Sequence, residues 1–135
     1  RTLERPEITF GYRTSSFQNN HQYVILSVRF LRRDLESKAV YLDQRKKNMP
    51  YEYPNIGSIF RNPEGMSAGK LLDDAGAKDL FVGDARVSEK HANIIVNTGA
   101  ATTADMQQLM RQMQQRVQQH VGVILEQEVE CLQCL

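Results

Sequence analysis

The chain has 135 residues, of which 41% are hydrophobic and 24% charged, with 17 basic residues against 16 acidic ones. This composition excludes a disordered chain and suits one ordinary domain, or slightly more, with a sizeable core. The near balance of charge argues against a general nucleic-acid or membrane-surface binder, no apolar run reaches the length of a transmembrane helix, and the opening residues do not read as a signal peptide.

Ile8-Thr9-Phe10-Gly11-Tyr12-Arg13 reads as a strand-like run ending at a Gly-Tyr-Arg corner, and Gln18-Asn19-Asn20-His21 as a polar turn. Tyr23 to Leu31 is rich in β-branched and aromatic residues, which predicts a strand. Two strands and a turn do not bury both faces unaided. Residues 1–35 therefore read as the trailing edge of something larger, or as a hairpin resting on the remainder. Leu35 to Met49 mixes apolar and charged residues around Val40, Tyr41 and Leu42, a pattern open to a helix or a charged linker. Its basic run Arg45-Lys46-Lys47, flanked by Asp43 and Glu52, reads as a solvated connector.

The stretch around which the chain is organised runs from Tyr53 to Pro63. Pro54 and Pro63 suit neither a helix interior nor a central strand, and Gly57 lets the backbone bend. A loop or short edge strand is expected, presenting Ser58, Arg61 and Asn62 as one polar cluster. These supply a hydroxyl proton, a positive fork and a mixed donor/acceptor amide. An ordinary proline-bounded connection has the same pattern.

Ser67 can N-cap a short helix in which Ala68, Leu71, Leu72 and Ala75 share a face and Gly76 marks the stop. Gly69 inside it costs about 1 kcal/mol against alanine, so close packing is the expected reason for it. Phe81 to Val87 leads through Ser88-Glu89-Lys90-His91 into a strand at Ala92 to Asn97. Thr103 to His120 is the clearest helix: Met106, Leu109, Met110, Met113, Val117 and Val121 recur at three- and four-residue steps, behind Thr102 and Asp105 at capping-box spacing. Core packing explains the methionines better than a pliable groove does. After Gly122, Val123 to Val129 predicts a last strand with Glu126 and Glu128 on one side, either as a chemical pair or as solvent-facing edge residues. Cys131 and Cys134 form a C-x-x-C without a second pair, and His21, His91 and His120 are scattered. Unligated thiols in a reducing cytoplasm are expected, with no metal site.

Several motifs then agree in order: Phe10-Gly11-Tyr12-Arg13-x-Ser15, Gly57-Ser58-x-Phe60-Arg61-Asn62-Pro63, Val87-Ser88-x-Lys90-His91-Ala92-x-x-Ile95-Val96-Asn97 and Leu125-Glu126-x-Glu128-Val129. With Ala68-Gly69-Lys70-Leu71-Leu72-Asp73 and Ala101-Thr102-x-x-Asp105 between them, the chain closely resembles the carboxyl-terminal part of the UDP-N-acetylenolpyruvoylglucosamine reductase family. The resemblance implies an α+β fold with a mixed sheet and about three helices. Residues 1–35 would be trailing strands of an FAD-binding domain and residues 36–135 the substrate-binding domain. It implies a flavoenzyme of peptidoglycan precursor synthesis that passes a hydride from NADPH through FAD to UDP-N-acetylglucosamine enolpyruvate, forming UDP-N-acetylmuramic acid. By motif, Ser58 would donate a proton, while Arg13 and Glu128 would stabilise the enol intermediate. Asn62, His91 and, more weakly, Arg61 would contact the UDP-sugar. Glu128 would need burial to serve as a hydrogen-bond donor.

There are departures from the family pattern. No G-x-G-x-x-G loop occurs, so FAD would be held mostly by a missing amino-terminal domain, and the chain alone is expected to be inactive. The absence of an extra tyrosine-bearing loop resembles the family's shorter subgroup. Asn48 stands where many members carry lysine, and Cys131 to Leu135 departs from the usual ending. A non-catalytic UDP-sugar binding or regulatory module, or an interaction domain using the Met-lined helix, would share these features.

Overall fold

In the computed structural model, residues 1–18, 22–31 and 38–131 are described. Their elements in chain order are β1 (Phe10–Gly11), β2 (Thr14–Ser15), α1 (Lys38–Asn48), β3 (Asn55–Ser58), α2 (Ala68–Asp74), β4 (Phe81–Val82), β5 (Ala85–Val87), β6 (Ile94–Asn97) and α3 (Thr103–Val121), with 3-10 turns at Arg5–Glu7 and Ala77–Asp79. They divide into two compact units, Arg1–Leu35 and Glu36–Leu135. The class is α+β, with three α-helices among the described residues.

The second unit grows from its helix signals. The apolar stripe of α3 puts Leu109, Met110, Met113 and Val117 into the core, with Met106 half-buried beside them. Its capping box forms: Asp105 N–H donates to Thr102 Oγ1 at 3.2 Å, and Thr102 N–H donates back to Asp105 Oδ2 at 2.8 Å. At the other end Gly122 has φ +73° and its N–H donates to the Gln118 carbonyl at 2.9 Å. Ser67 caps α2, which buries Ala68 and Leu72, and Gly76 follows at φ +69°. The open choice over Leu35 to Met49 resolves as α1, although residues 35–37 lie outside those described.

The sheet order is β3-β6-β5-β4, and every pairing is antiparallel. A mixed sheet is expected from the sequence; the difference follows from the connections. β4 turns into β5 through Gly83-Asp84, and β5 reaches β6 through residues 88–93, too short for the crossover that parallel neighbours need. The organising stretch takes the edge position as β3. Behind it Ile59 and Phe60 join Leu72, Val87, Ile95, Leu109, Met113 and Leu125 in one buried cluster.

Two expected strands are corrected. Val123 to Val129 forms only a bridge, Gln127 opposite Phe60. Its ladder is confined to the bonds around that pair, because a bulge lies before Ser58 and Pro63 follows shortly after Arg61. Leu125 is buried and Val129 half-buried as the alternation requires, but Gln127, on the same expected side, is exposed. Residues 23–31 join no sheet among the described residues. Val24, Leu26 and Leu31 are 83%, 92% and 93% exposed, so strand composition is present without a partner strand.

In the first unit the strand-like run is shorter than its sequence suggests. β1 and β2 form a tight hairpin, Phe10 opposite Ser15 and Gly11 opposite Thr14, turning at Tyr12-Arg13. Arg5 stacks 4.5 Å over the Phe10 ring, and Phe17 meets Tyr23 edge to face at 6.1 Å. Residues 19–21, which carry most of the expected polar turn and His21, lie outside the described residues.

Candidate functional site

The edge strand β3 is irregular where the chemistry is expected. Asn55 pairs with Val96 and Ser58 with Ile94, so β3 has one more residue than β6 over the same span. That extra residue makes a β-bulge, a device that re-aims a side chain. Gly57 sits in it at φ +80°, with nothing within 4 Å of where a β-carbon would stand. Glycine is thus required by backbone conformation rather than by space. Its N–H donates to Asn55 Oδ1 at 3.1 Å, while Asn55 Nδ2 donates to the carbonyls of Pro50 and Tyr53, each at 3.1 Å. Ser58 follows, half-buried and paired with the fully buried Ile94 of β6, while Ile59 and Phe60 both enter the core.

Residues 59–61 are then gripped from two sides. Ile59 N–H donates to the Asn93 carbonyl at 2.9 Å. The buried Asn93 side chain completes the grip, accepting from Phe60 N–H at 2.9 Å and donating through Nδ2 to the Phe60 carbonyl at 2.8 Å. On the opposite side, Glu128 N–H donates to the Ile59 carbonyl at 2.8 Å and Arg61 N–H to the Glu126 carbonyl at 2.9 Å. The structure thereby brings the Glu126–Glu128 segment alongside the residues that follow Ser58.

The expected polar cluster divides among separate partners. Arg61 Nη1 donates to Glu126 Oε1 at 2.9 Å, an exposed pair, while its Nε is buried without a partner among the described residues. Asn62 Oδ1 accepts the Ala68 N–H at 2.9 Å, satisfying an orphan donor at the start of α2. Of the two glutamates, Glu126 is exposed and Glu128 half-buried.

His91 faces α2. A β-carbon on Gly69 would stand 3.0 Å from His91 Cε1, so glycine there makes room for the ring, the close packing that the sequence suggests. Asn93 N–H donates to His91 Nδ1 at 3.2 Å; a neutral ring held in this way carries its proton on Nε2. An open groove of about 370 Å³ lies here, lined by Ser67, Gly69, Lys70, Lys78, Lys90 and His91 together with Asp73 and Asp74. Its lysines are matched by carboxylates: Lys70 to Asp74 at 2.8 Å, Lys78 to Asp73 at 2.9 Å and Lys90 to Glu52 at 2.8 Å. The bond from Lys90 holds Glu52 below its usual pKa, and the bond to Asp74 raises that of Lys70. Arg13 belongs to the other unit, at the hairpin corner, with φ +56° and its guanidinium 5.8 Å from the Tyr12 ring centre.

Sequence reasoning overlooks Asn55 and Asn93. The first has a local signal, an Asn two residues before a Gly whose N–H it can accept. The second has none, since its partner Phe60 is 33 residues away. Among the described residues, no group of three or more His, Cys, Asp or Glu could hold a metal ion, and no helix is long and apolar enough to cross a membrane.

A family model described as UDP-N-acetylenolpyruvoylglucosamine reductase, C-terminal domain, matches residues 49–132. The UDP-N-acetylenolpyruvoylglucosamine reductase of Chlamydia muridarum is 43% identical over 135 residues, covering 97% of this chain and 45% of that protein. The Moorella thermoacetica reductase of the same name is 40% identical over 132 residues, covering 95% of this chain and 44% of that protein. A crystal structure of UDP-N-acetylenolpyruvylglucosamine reductase from Thermus caldophilus superposes with a TM-score of 0.56 at 42% identity, covering 67% of this chain and 32% of that one. The chain thus spans under half the length of the relatives it matches.

Proposed function

This chain belongs to the UDP-N-acetylenolpyruvoylglucosamine reductase C-terminal domain family, and from that premise we propose that it supplies the substrate-binding and proton-donating half of such a reductase. The reaction adds one hydride and one proton across the carbon–carbon double bond of the enolpyruvyl ether, giving UDP-N-acetylmuramic acid for peptidoglycan in the cytoplasm. NADPH and FAD provide the hydride. The described residues do not fit FAD, because no glycine-rich cradle for its phosphates occurs among them. The hydride carrier is accordingly assigned mostly to the part of the relatives that this chain does not span, with residues 1–35 as trailing strands of the FAD-binding domain and residues 36–135 as the substrate domain.

Within the chain the roles divide as follows. Ser58 gives its hydroxyl proton to the carbon that gains enolate character, and the resulting alkoxide is reprotonated from solvent. Arg13 pairs with the substrate carboxylate through its guanidinium fork and stabilises the negative charge that develops beside it, while Glu128 stabilises the enol form of the intermediate by hydrogen bonding. Asn62, through its amide nitrogen, and His91, through Nε2–H, bind the UDP-sugar, with Arg61 in a weaker supporting role. The observation that carries this reading is the Gly57 bulge, which immediately precedes the half-buried Ser58 on an edge strand while the next two residues are anchored in the core.

Calorimetric titration of the chain with the enolpyruvyl UDP-sugar tests the substrate half, and selective binding over UDP alone is expected. Ser58→Ala in a complete reductase carrying this domain should slow substrate reduction by about 10²–10⁴-fold, while reduction of the flavin by NADPH stays nearly unchanged. A loss confined to the NADPH step would refute the assignment of Ser58. The chain alone should show no NADPH-dependent turnover.

A further inference from the structure

We infer that Asn55 is the positioning residue for the Ser58 hydroxyl, holding the bulge that aims it; the inference rests on Ser58 being the proton donor. Its side chain spends three hydrogen bonds on its own loop. Two go from Nδ2 to the carbonyls of Pro50 and Tyr53, and one comes from Gly57 N–H to Oδ1. Pro50 is fully buried, so the first bond ties the loop to a fixed point.

The need for such a lock follows from the geometry. Gly57 adopts positive and negative φ with comparable ease, and no neighbour within 4 Å of a β-carbon position confines it sterically. The strand is also an edge, with β6 as its only ladder partner among the described residues. The extra residue makes a bulge, which re-aims the side chain beside it. Downstream, Ile59 and Phe60 are anchored by burial and by the bonds to Asn93. Upstream, Asn97 N–H ties the Pro54 carbonyl to β6 at 2.9 Å, and the Asn55 side chain, which accepts from Gly57 N–H, favours the Gly57 conformer that precedes Ser58. Asn55 touches no reacting group in this arrangement. It acts through Ser58.

The test uses a complete reductase carrying this domain, with Asn55→Ala and Asn55→Asp made alone and on Ser58→Ala. Asn55→Ala should slow reduction of the enolpyruvyl UDP-sugar by the prereduced enzyme on the order of 10²-fold, the scale of a misplaced reacting group. Affinity for that substrate should change less than about threefold, a split that general loss of structure does not produce. Asn55→Asp, which keeps the acceptor for Gly57 N–H, should lose less. On Ser58→Ala, neither change should slow the reaction further. Amide hydrogen exchange at Gly57 should accelerate in Asn55→Ala, and if that variant does not fold, Asn55→Asp carries the kinetic comparison. Unaltered protection at Gly57, or losses that multiply with that of Ser58→Ala, would overturn the inference while leaving Ser58 in its role. A Ser58→Ala enzyme of undiminished rate would instead remove the reading beneath both.

Discussion

Gly69→Ala separates the packing of this domain from its binding function. Gly69 is the second residue of α2, where alanine favours the helix by up to about 1 kcal/mol. Against that gain, the new β-carbon would stand 3.0 Å from His91 Cε1, with Nδ1 at 3.6 Å and Nε2 at 3.7 Å. Ordinary carbon contacts begin near about 3.5 Å, so the ring must retreat by roughly half an ångström. Retreat stretches the bond from Asn93 N–H to Nδ1, already 3.2 Å long, to the limit of a useful hydrogen bond. Losing it costs about 1 kcal/mol. The two effects nearly cancel, so urea denaturation should place the variant within about 1 kcal/mol of the parent. Binding should not be spared, because the Nε2–H of His91 moves with the ring. Calorimetry should show affinity for the enolpyruvyl UDP-sugar reduced about tenfold, or about 1.4 kcal/mol. Equal affinity in a variant of equal stability would refute the placing of His91 against the substrate. A loss of several kcal/mol in stability would refute the premise that the ring can yield.

Two further outcomes concern the fold itself. Met113→Ala, at a fully buried position on the core face of α3, should destabilise the chain by about 2–5 kcal/mol in urea, with the large value if the cavity fails to collapse. Asp105 is held below its ordinary pKa of 3.8, first by the backbone N–H of Thr102 and then by the Thr102 side chain. A depressed carboxylate stabilises the folded state above its unfolded pKa, and the contribution disappears as pH falls through the lowered value. The melting temperature of the parent should therefore exceed that of Asp105→Asn near neutrality, with the difference shrinking in acid. A difference independent of pH would place the stabilisation elsewhere.

What was legible in the sequence was the part encoded within a turn or two of chain. The α3 stripe, the Thr102–Asp105 box and the Ser67 cap are local patterns, and each appears where its spacing requires. The organising stretch was legible as an edge segment for the same reason, since two prolines fix their own φ and a glycine admits the bend between them. Residues 23–31 show the opposite case. Their composition is that of a strand, but a strand exists only through a neighbour, and composition does not name one. Val123 to Val129 lies between these extremes: its apolar alternation delivered Leu125 to the core, while the length of its ladder was set by the bulge and proline of a segment some sixty residues earlier.

The candidate residues were legible in the sequence, and the bonds that support them were not. Ser58, Asn62, His91 and Glu128 can be picked out as residues capable of a role, yet a hydroxyl becomes a useful acid only where something holds it. The backbone on either side of Ser58 is bonded by the amides of Asn55 and Asn93, which look unremarkable in the sequence. Asn93 grips Phe60 with its side chain and aligns His91 with its backbone N–H, so one buried residue ties the segment after Ser58 to the ring at α2. An aspartate at position 93 would keep the acceptor for Phe60 N–H and lose the donor to its carbonyl, leaving that buried carbonyl unsatisfied. The amide is needed because it matches a donor and an acceptor of one residue at once. Fold and site therefore share this residue: the bonds that close the sheet edge also set the spacing between the expected proton donor and the expected substrate contact.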